Sequence, residues 1–276
     1  MLPSSDIARE LRDTLMHMNT AMEARQVALA PTAELARTVP FGDGCYVLDE
    51  HNSGEFASQN TNRVEHLGVD GQASEVLVDQ LIERYAKSGV PRFFVYVSPS
   101  SQAKELATWL VARGLEKGEY GLSVLHRAAL DPPEPKTDFA VRLASAKDAE
   151  LVLAALSAGS AQPEHPWAKG TTNMLGAPGF HTFLALDGSN AVATGSLYVA
   201  GSVGYLHRGA TREAARKRGA QTALIAARAK FARDLGCQWL ASETYSFLSS
   251  YGNLARSGFA EAYTRDIFTW QRPTET

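Results

Sequence analysis

The sequence predicts an α+β protein in which one module of strands and helices occurs twice. Each copy is expected to form a mixed, mostly antiparallel sheet flanked by helices. Three observations lead there. Stretches of helical and strand-like apolar periodicity alternate along both halves of the 276-residue chain. Glycines punctuate the halves at matching places: Leu77 precedes Gly89 by the interval that separates Leu224 from Gly236, and Gly114-Leu115 answers Gly258-Phe259. Between the halves lies Asp131-Pro132-Pro133-Glu134-Pro135-Lys136-Thr137-Asp138, whose prolines exclude helix and central strand. The expected division is residues 1–130, a linker at 131–138, and residues 139–276.

In the first half, Ile7, Leu11, Leu15 and Met18 recur at helical spacing behind a capping Ser4-Ser5-Asp6, so residues 1–40 read as helical. Phe41-Gly42-Asp43-Gly44 is a turn and Cys45–Leu48 a short strand. The polar stretch from His51 to Arg63 reads as loop or hairpin. A second amphipathic helix spans Glu75 to Ser88 and stops at Gly89. It is followed by a strand (Arg92–Val97), a helix (Ala103–Ala112) and a strand around Leu122 to His126.

The second half opens with a strand (139–143) and a helix (Ala149–Leu156). Gly159 to Pro178 shows little periodicity and reads as a loop. Phe180–Leu186, the turn Asp187-Gly188-Ser189-Asn190 and Ala191–Val199 make a hairpin. The stretch that follows organises the rest. A strand through Tyr205 and Leu206 runs into Arg208-Gly209-Ala210-Thr211 and a charged turn. A helix starts at about Gly219, with Ala220, Ala223, Leu224, Ala227, Phe231 and Leu235 on one face. A strand (237–245), a short helix ending in Arg256-Ser257-Gly258-Phe259 and a last strand (Ala262–Trp270) complete the order.

The turn Arg216-Lys217-Arg218-Gly219-Ala220-Gln221-Thr222 has the makings of an anion cradle. The first N–H groups of a helix lack partners within it and lie at the positive end of its dipole. Cations at a helix start oppose that dipole, and a bound anion removes the conflict.

On these residues the chain resembles the GNAT N-acyltransferases, whose diphosphate loop reads Arg/Gln-x-x-Gly-x-Gly/Ala between the fourth strand and the next helix. Arg216-Lys217-Arg218-Gly219-Ala220-Gln221 fits except at Gln221, and the closing Gly-Phe of the short helix is also the family's habit. The resemblance implies acetyl-CoA, or another acyl-CoA, as co-substrate, held by Arg216, Lys217, Arg218, Gly219, Ala220, Gln221 and Thr222. By position, the backbone donors to the cofactor arm and acyl carbonyl lie around Gly209, Ala210 and Thr211, with Gly209 marking a bulge. Ser250 falls where the family places a small residue beside the cofactor, and Asn253 is a substitute hydrogen-bonding group. Leu254 stands where the family often has the tyrosine that protonates the leaving thiolate, which leaves Tyr251, one turn earlier, as the acid. Phe247 replaces the usual asparagine.

Strand alternation places Tyr205, His207 and Gly209 on one face of the fourth strand and Trp239, Ala241, Glu243 and Tyr245 on one face of the fifth. Glu243 or His207 is thereby the expected general base. His165, Trp167 and Asn173 are candidates for contact with the acceptor, a small-molecule or peptide amine. The first half places Val69-Asp70-Gly71-Gln72-Ala73-Ser74 where the second has its arginine loop, so the first half reads as a degenerate copy in which Asp70 repels phosphate. The alternative to an enzyme is an acyl-CoA-binding protein that senses rather than transfers.

Composition bounds the rest. A net charge of −3 offers nucleic acid and anionic membranes no general attraction. No apolar run is long enough to span a bilayer and no secretory segment opens the chain, so a cytoplasmic location is expected. The two cysteines, Cys45 and Cys237, form neither a disulfide framework nor metal-ligand spacing. No metal is expected, and the oligomeric state is not legible.

Overall fold

The computed structural model describes residues 4–29, 37–49, 62–100, 102–130, 134, 137–159 and 166–273. They form two compact units, Met1–Ser123 with Ala262–Thr276, and Val124–Glu261. The chain thus returns to the first unit with its last strand.

The first unit begins with α1 (Ser4–Leu29), β1 (Arg37–Phe41) and β2 (Gly44–Leu48). The helix expected over residues 1–40 therefore ends at Leu29, and the chain from Arg37 is a strand. Gly42, at a φ of 58°, turns β1 back onto β2, and pairing with β2 overrides the helical pattern. Of the polar stretch from His51, residues 51–61 lie outside the described residues, while Arg63 opens β3 (Arg63–Glu65). There follow α2 (Glu75–Lys87), β4 (Arg92–Val97), α3 (Ala103–Ala112) and the two-residue β5 (Glu116–Lys117); β6 (Leu122–Ala128) belongs from Val124 on to the second unit. β1, β2 and β3 pair antiparallel, β3 and β4 parallel, and β4 pairs antiparallel with β12 (Ala260–Gln271). Val78, Leu81 and Tyr85 of α2 and Leu106 and Leu110 of α3 bury their faces against Val64, Phe93, Val95 and Phe268. The Tyr85 ring stacks on Phe93 at 4.2 Å and its hydroxyl donates to the Arg63 carbonyl at 3.2 Å.

The second unit runs β7 (Ala140–Leu143), α4 (Ala149–Gly159), α5 (Pro166–Asn173), β8 (Phe180–Asp187), β9 (Asn190–Ala200), β10 (Val203–Thr211), α6 (Ala220–Asp234), β11 (Trp239–Thr244) and α7 (Ser249–Arg256). The expected loop over Gly159–Pro178 thus holds a short helix, α5, too brief to show a periodicity. The strand order is β7-β8-β9-β10-β11-β6, with β7 to β10 antiparallel and β10 parallel to β11. Alternation along β8 sends Phe183 and Ala185 toward Leu224 and Ala220 of α6, and Leu184 toward Val152, Ala155 and Leu156 of α4. The same succession, an antiparallel pair and then a parallel pair joined by a helix, occurs in both units.

The first unit also buries charge. Glu65 bonds Arg63 at 3.2 Å and lies 3.6 Å from Arg265, whose guanidinium stands over the Tyr96 ring. Burial alone would raise the Glu65 carboxyl; Arg63 and Arg265 outweigh it and bring it to about 2. His66 is fully buried, and burial with the nearby Arg265 pushes it down to about 3. An unfolded histidine takes its proton near pH 6.5. The unfolded state therefore binds a proton that the native state refuses, and stability present above pH 6.5 is lost as pH falls toward 3. The expected result is a urea midpoint that falls between about pH 6.5 and 4.5. Denaturation of His66→Gln across that range checks it, and should give a shallower slope.

Candidate active site

Three features of the second unit converge on β10. The first is a break in the strand. Register with β9 runs from Val203↔Ala200 to His207↔Ser196 and resumes at Ala210↔Thr194, so Arg208 and Gly209 oppose Gly195 alone. Arg208 has a φ of 52°, a left-handed backbone costly for a side-chain-bearing residue. Pairing with β11 stops at Leu206↔Ser242, where the Ser242 hydroxyl donates to the Leu206 carbonyl at 2.9 Å. Beyond that point β10 and β11 part, and Gly209 is exposed. The bulge expected at Gly209 is present.

The second feature is the loop into α6. Residues 213–215 make a single 3-10 turn, Lys217 and Gly219 have φ values of 62° and 84°, and no side chain caps the helix. Among the described residues, no backbone carbonyl outside the helix receives the N–H groups of residues 217–222. The arginines on this loop differ. Arg218 is engaged, its guanidinium 4.4 Å from the Phe139 ring centroid and 3.3 Å from Asp187, while its carbonyl accepts from Thr137 at 3.0 Å. Arg216 is exposed and has no ion pair among the described residues. Arg212 carries a buried Nε with no partner among them. Donors, open backbone and cations around Arg216 and the N–H groups of residues 218–222 suit a phosphate-bearing anion.

Gln221, the residue that departs from the loop pattern, turns away from that cradle. Its Nε2 donates to the Ala210 carbonyl at 3.0 Å and to Thr211 Oγ1 at 2.8 Å. A Cβ on Gly209 would come 3.0 Å from its Oε1. Its side chain therefore braces the bulge.

The third feature is a polar cluster on the facing strands. The Tyr205 hydroxyl donates to Glu243 Oε2 at 3.1 Å, and the Tyr205 and His207 rings stack at 5.6 Å. Alternation along the strands thus brings together the two candidate bases, but they are unequal. Burial pushes His207 well below its ordinary value, and Arg208 and Arg228 add to the push, so the ring is neutral and a weak base. Glu243 is the better placed acceptor. Tyr251 is directed elsewhere: its hydroxyl donates to Glu261 at 3.1 Å, which raises its pKa and makes it a poorer acid. Leu254 is packed into the apolar core. Ser250 shares a hydrogen bond with Thr244, and Asn253 accepts from Arg256 at 2.7 Å.

Of the acceptor candidates, His165 lies outside the described residues, as does the Trp167 side chain; Asn173 is exposed at the end of α5. α5 is joined to the bulge by a hydrogen bond from Arg208 to Thr171. Sequence reasoning missed Arg228, which is buried behind the bulge. Its place four residues after Leu224, within an apolar stripe, was the available signal. It also missed the role of Asp43 in the first unit, for which a turn aspartate between glycines carries no signal.

The acetyltransferase (GNAT) family pattern matches residues 150–259. The sequence likeness to that family is confined to this segment. Its bounds run from α4 to the Phe259 that follows α7, and so contain the bulge, the arginine loop and the polar cluster. No curated protein matches the chain in sequence. Among solved structures, the fold is similar to a GCN5-related N-acetyltransferase from Kribbella flavida, with a TM-score of 0.61 at 16% identity over 91% of this chain and 96% of that one. A functionally unknown conserved protein from Staphylococcus epidermidis gives 0.59 at 8% over 91% and 100%. A tandem GNAT protein from the clavulanic acid biosynthesis pathway gives 0.56 at 12% over 77% and 76%. Among the described residues no cluster of His, Cys, Asp and Glu is arranged to hold a metal, and no helix is long and apolar enough to cross a membrane.

The neutrality of His207 is open to direct test. Its ring resonances, followed by NMR, are expected to titrate well below the ordinary histidine value. A midpoint near the ordinary histidine value would restore it as a candidate base.

Proposed function

We propose that the second unit is an acyl-CoA-dependent N-acyltransferase, with acetyl-CoA as donor and a small-molecule or peptide amine as acceptor, working in the cytoplasm. The observation that carries this reading is the uncapped, cation-rich start of α6 beside a bulged strand that has parted from its neighbour. When bound, the acyl-CoA supplies a thioester carbonyl for attack by the neutral amine; the C–N bond forms, the C–S bond breaks and the CoA thiolate leaves. The N–H groups of residues 218–222 and Arg216 hold the diphosphate, and the backbone around Gly209 to Thr211 faces the acyl end. Glu243, held by Tyr205, receives the proton that the amine gives up, directly or through water. With Tyr251 engaged by Glu261 and Leu254 buried at the acid position, rate comes mostly from orientation and backbone donors.

The first unit supports a single cofactor site per chain, because the corresponding donors are met from within. Asp43 accepts from the N–H groups of Gly68 at 2.6 Å, Asp70 at 2.5 Å and Gln72 at 3.4 Å. Gln102 accepts from Ala73 N at 2.9 Å, and Ser74 caps α2 through Leu77 N. Asp70, expected to repel phosphate, is itself bound by Arg9 and Arg12. Internal saturation, rather than repulsion, makes this loop a poor anion site. The first unit then serves as a scaffold.

One observation favours a second reading, an acyl-CoA-binding sensor: the acid position is the buried Leu254, and Tyr251 is engaged with Glu261. Thiol release from acetyl-CoA, measured with a panel of amines, separates the two. Turnover with at least one amine supports transfer; binding without thiol release across the panel favours the sensor.

Calorimetry with CoA is expected to give one site per chain. Arg216→Ala should weaken it by roughly ten-fold or more, from loss of a charge-assisted bond of roughly 1.5–3 kcal/mol. Two sites, or unchanged affinity, would refute the assignment.

A further inference from the structure

We propose that Arg228, on the buried face of α6, is a positioning residue for acyl transfer: with Gln221 it holds the β10 bulge in the shape that presents its backbone donors to the acyl group. The proposal rests on the acyltransferase reading. Arg228 is only 3% exposed, and it has no salt bridge among the described residues. Its Nε donates to the Leu224 carbonyl at 3.0 Å, and its Nη1 to the carbonyls of Ser196 at 3.0 Å and His207 at 3.4 Å. Burial brings its pKa down to about 9, which still leaves it a cation at neutral pH.

A buried charge without a carboxylate is costly, and an apolar side chain of similar volume would fill the same space without that cost. The cation is kept where carbonyls from β9, β10 and α6 converge. The strand opposite is shaped for it: a Cβ on Gly195, the residue facing the bulge, would come within 2.8 Å of the guanidinium carbon. Two turns earlier on the same helix, Gln221 grips the Ala210 carbonyl and Thr211 Oγ1 on the far side of the bulge. The exposed Gly209 is thus bracketed from one helix.

The bracket has a chemical consequence. The His207 carbonyl and the Arg208 N–H belong to one peptide, and those of Ala210 and Thr211 to another. A donor on each carbonyl polarises its peptide and strengthens the N–H at the other end. As the amine attacks, charge gathers on the acyl oxygen. Donors that are fixed and polarised in advance stabilise that charge without reorganising. The same helix begins at the anion cradle, so the clamp also sets where the bulge lies relative to the diphosphate site.

The test uses the full chain and approaches the clamp from both sides. Arg228→Met removes the charge while keeping an apolar stem, and Gly195→Ala keeps the charge but displaces the guanidinium. In each, kcat for acetyl transfer should fall by about 100-fold or more, the scale for loss of a preorganised donor. Affinity for CoA should stay within about three-fold of wild type because the diphosphate loop is intact. Amide exchange at Arg208 and Gly209 should quicken. Arg228→Lys, which keeps a cation but not the planar fork, should fall between wild type and Arg228→Met.

Unchanged kcat in both variants overturns the positioning role. So does a joint fall of kcat, CoA affinity and melting temperature in all three, which would mark a merely structural arginine. Wild-type thiol release is measured first. Its absence overturns the acyltransferase reading and the positioning role together, whereas wild-type turnover with unaltered variants overturns the positioning role alone.

Discussion

Helix α6 is tied by two side chains to a break in the strand beside it, and what the second unit offers a ligand depends on that tie. Ladder pairing would close β10 against both neighbours and leave no backbone donor for a substrate. The irregularity at Arg208 and Gly209 opens it, and an irregularity of this kind persists only where surrounding structure over-determines it. Here the determinants are Gln221, Arg228 and the bond from Arg208 to Thr171. Each spends a polar side chain, two of them arginines, on backbone or hydroxyl acceptors in the interior.

The two units show how one topology can be open or closed to an anion. Both have a strand, a glycine-containing loop and a helix in parallel succession with the next strand. In the first, a turn aspartate, a glutamine and a capping serine take up the loop and helix donors, and Arg9 and Arg12 neutralise Asp70. In the second, the helix starts at Gly219 with no cap, and Lys217 is held in a left-handed conformation. Unmet donors, local strain and an exposed Arg216 are all relieved by the same kind of ligand, a phosphate-bearing one.

Proton handling follows from burial. Burial, with Arg208 and Arg228 adding to it, holds His207 well below its ordinary value, so its ring contributes packing against Tyr205 more than basicity. Under the proposed transfer, Glu243, which keeps a hydroxyl donor in Tyr205, is the proton acceptor. Within that proposal, a weakly basic amine asks least of the site, because little free energy is needed to neutralise it before attack.

Most of the element order, the bulge at Gly209 and the arginine loop were legible in the sequence, because each follows from local rules. Apolar periodicity marks helices and strands, glycine marks positive φ, and helix starts expose N–H groups whatever their surroundings. Period-two alternation was enough to put Tyr205, His207 and Glu243 on adjoining faces. The strand at Arg37 and the helix at Pro166 were not legible, since pairing with β2 and the brevity of α5 defeat periodicity. Nor were the directions of individual polar side chains. Gln221 points to the bulge, Tyr251 to Glu261, Arg218 to Phe139 and Asp43 into the loop of the first unit. These depend on partners between 10 and 79 residues away in the chain, and only the packed structure decides which of them a side chain can reach.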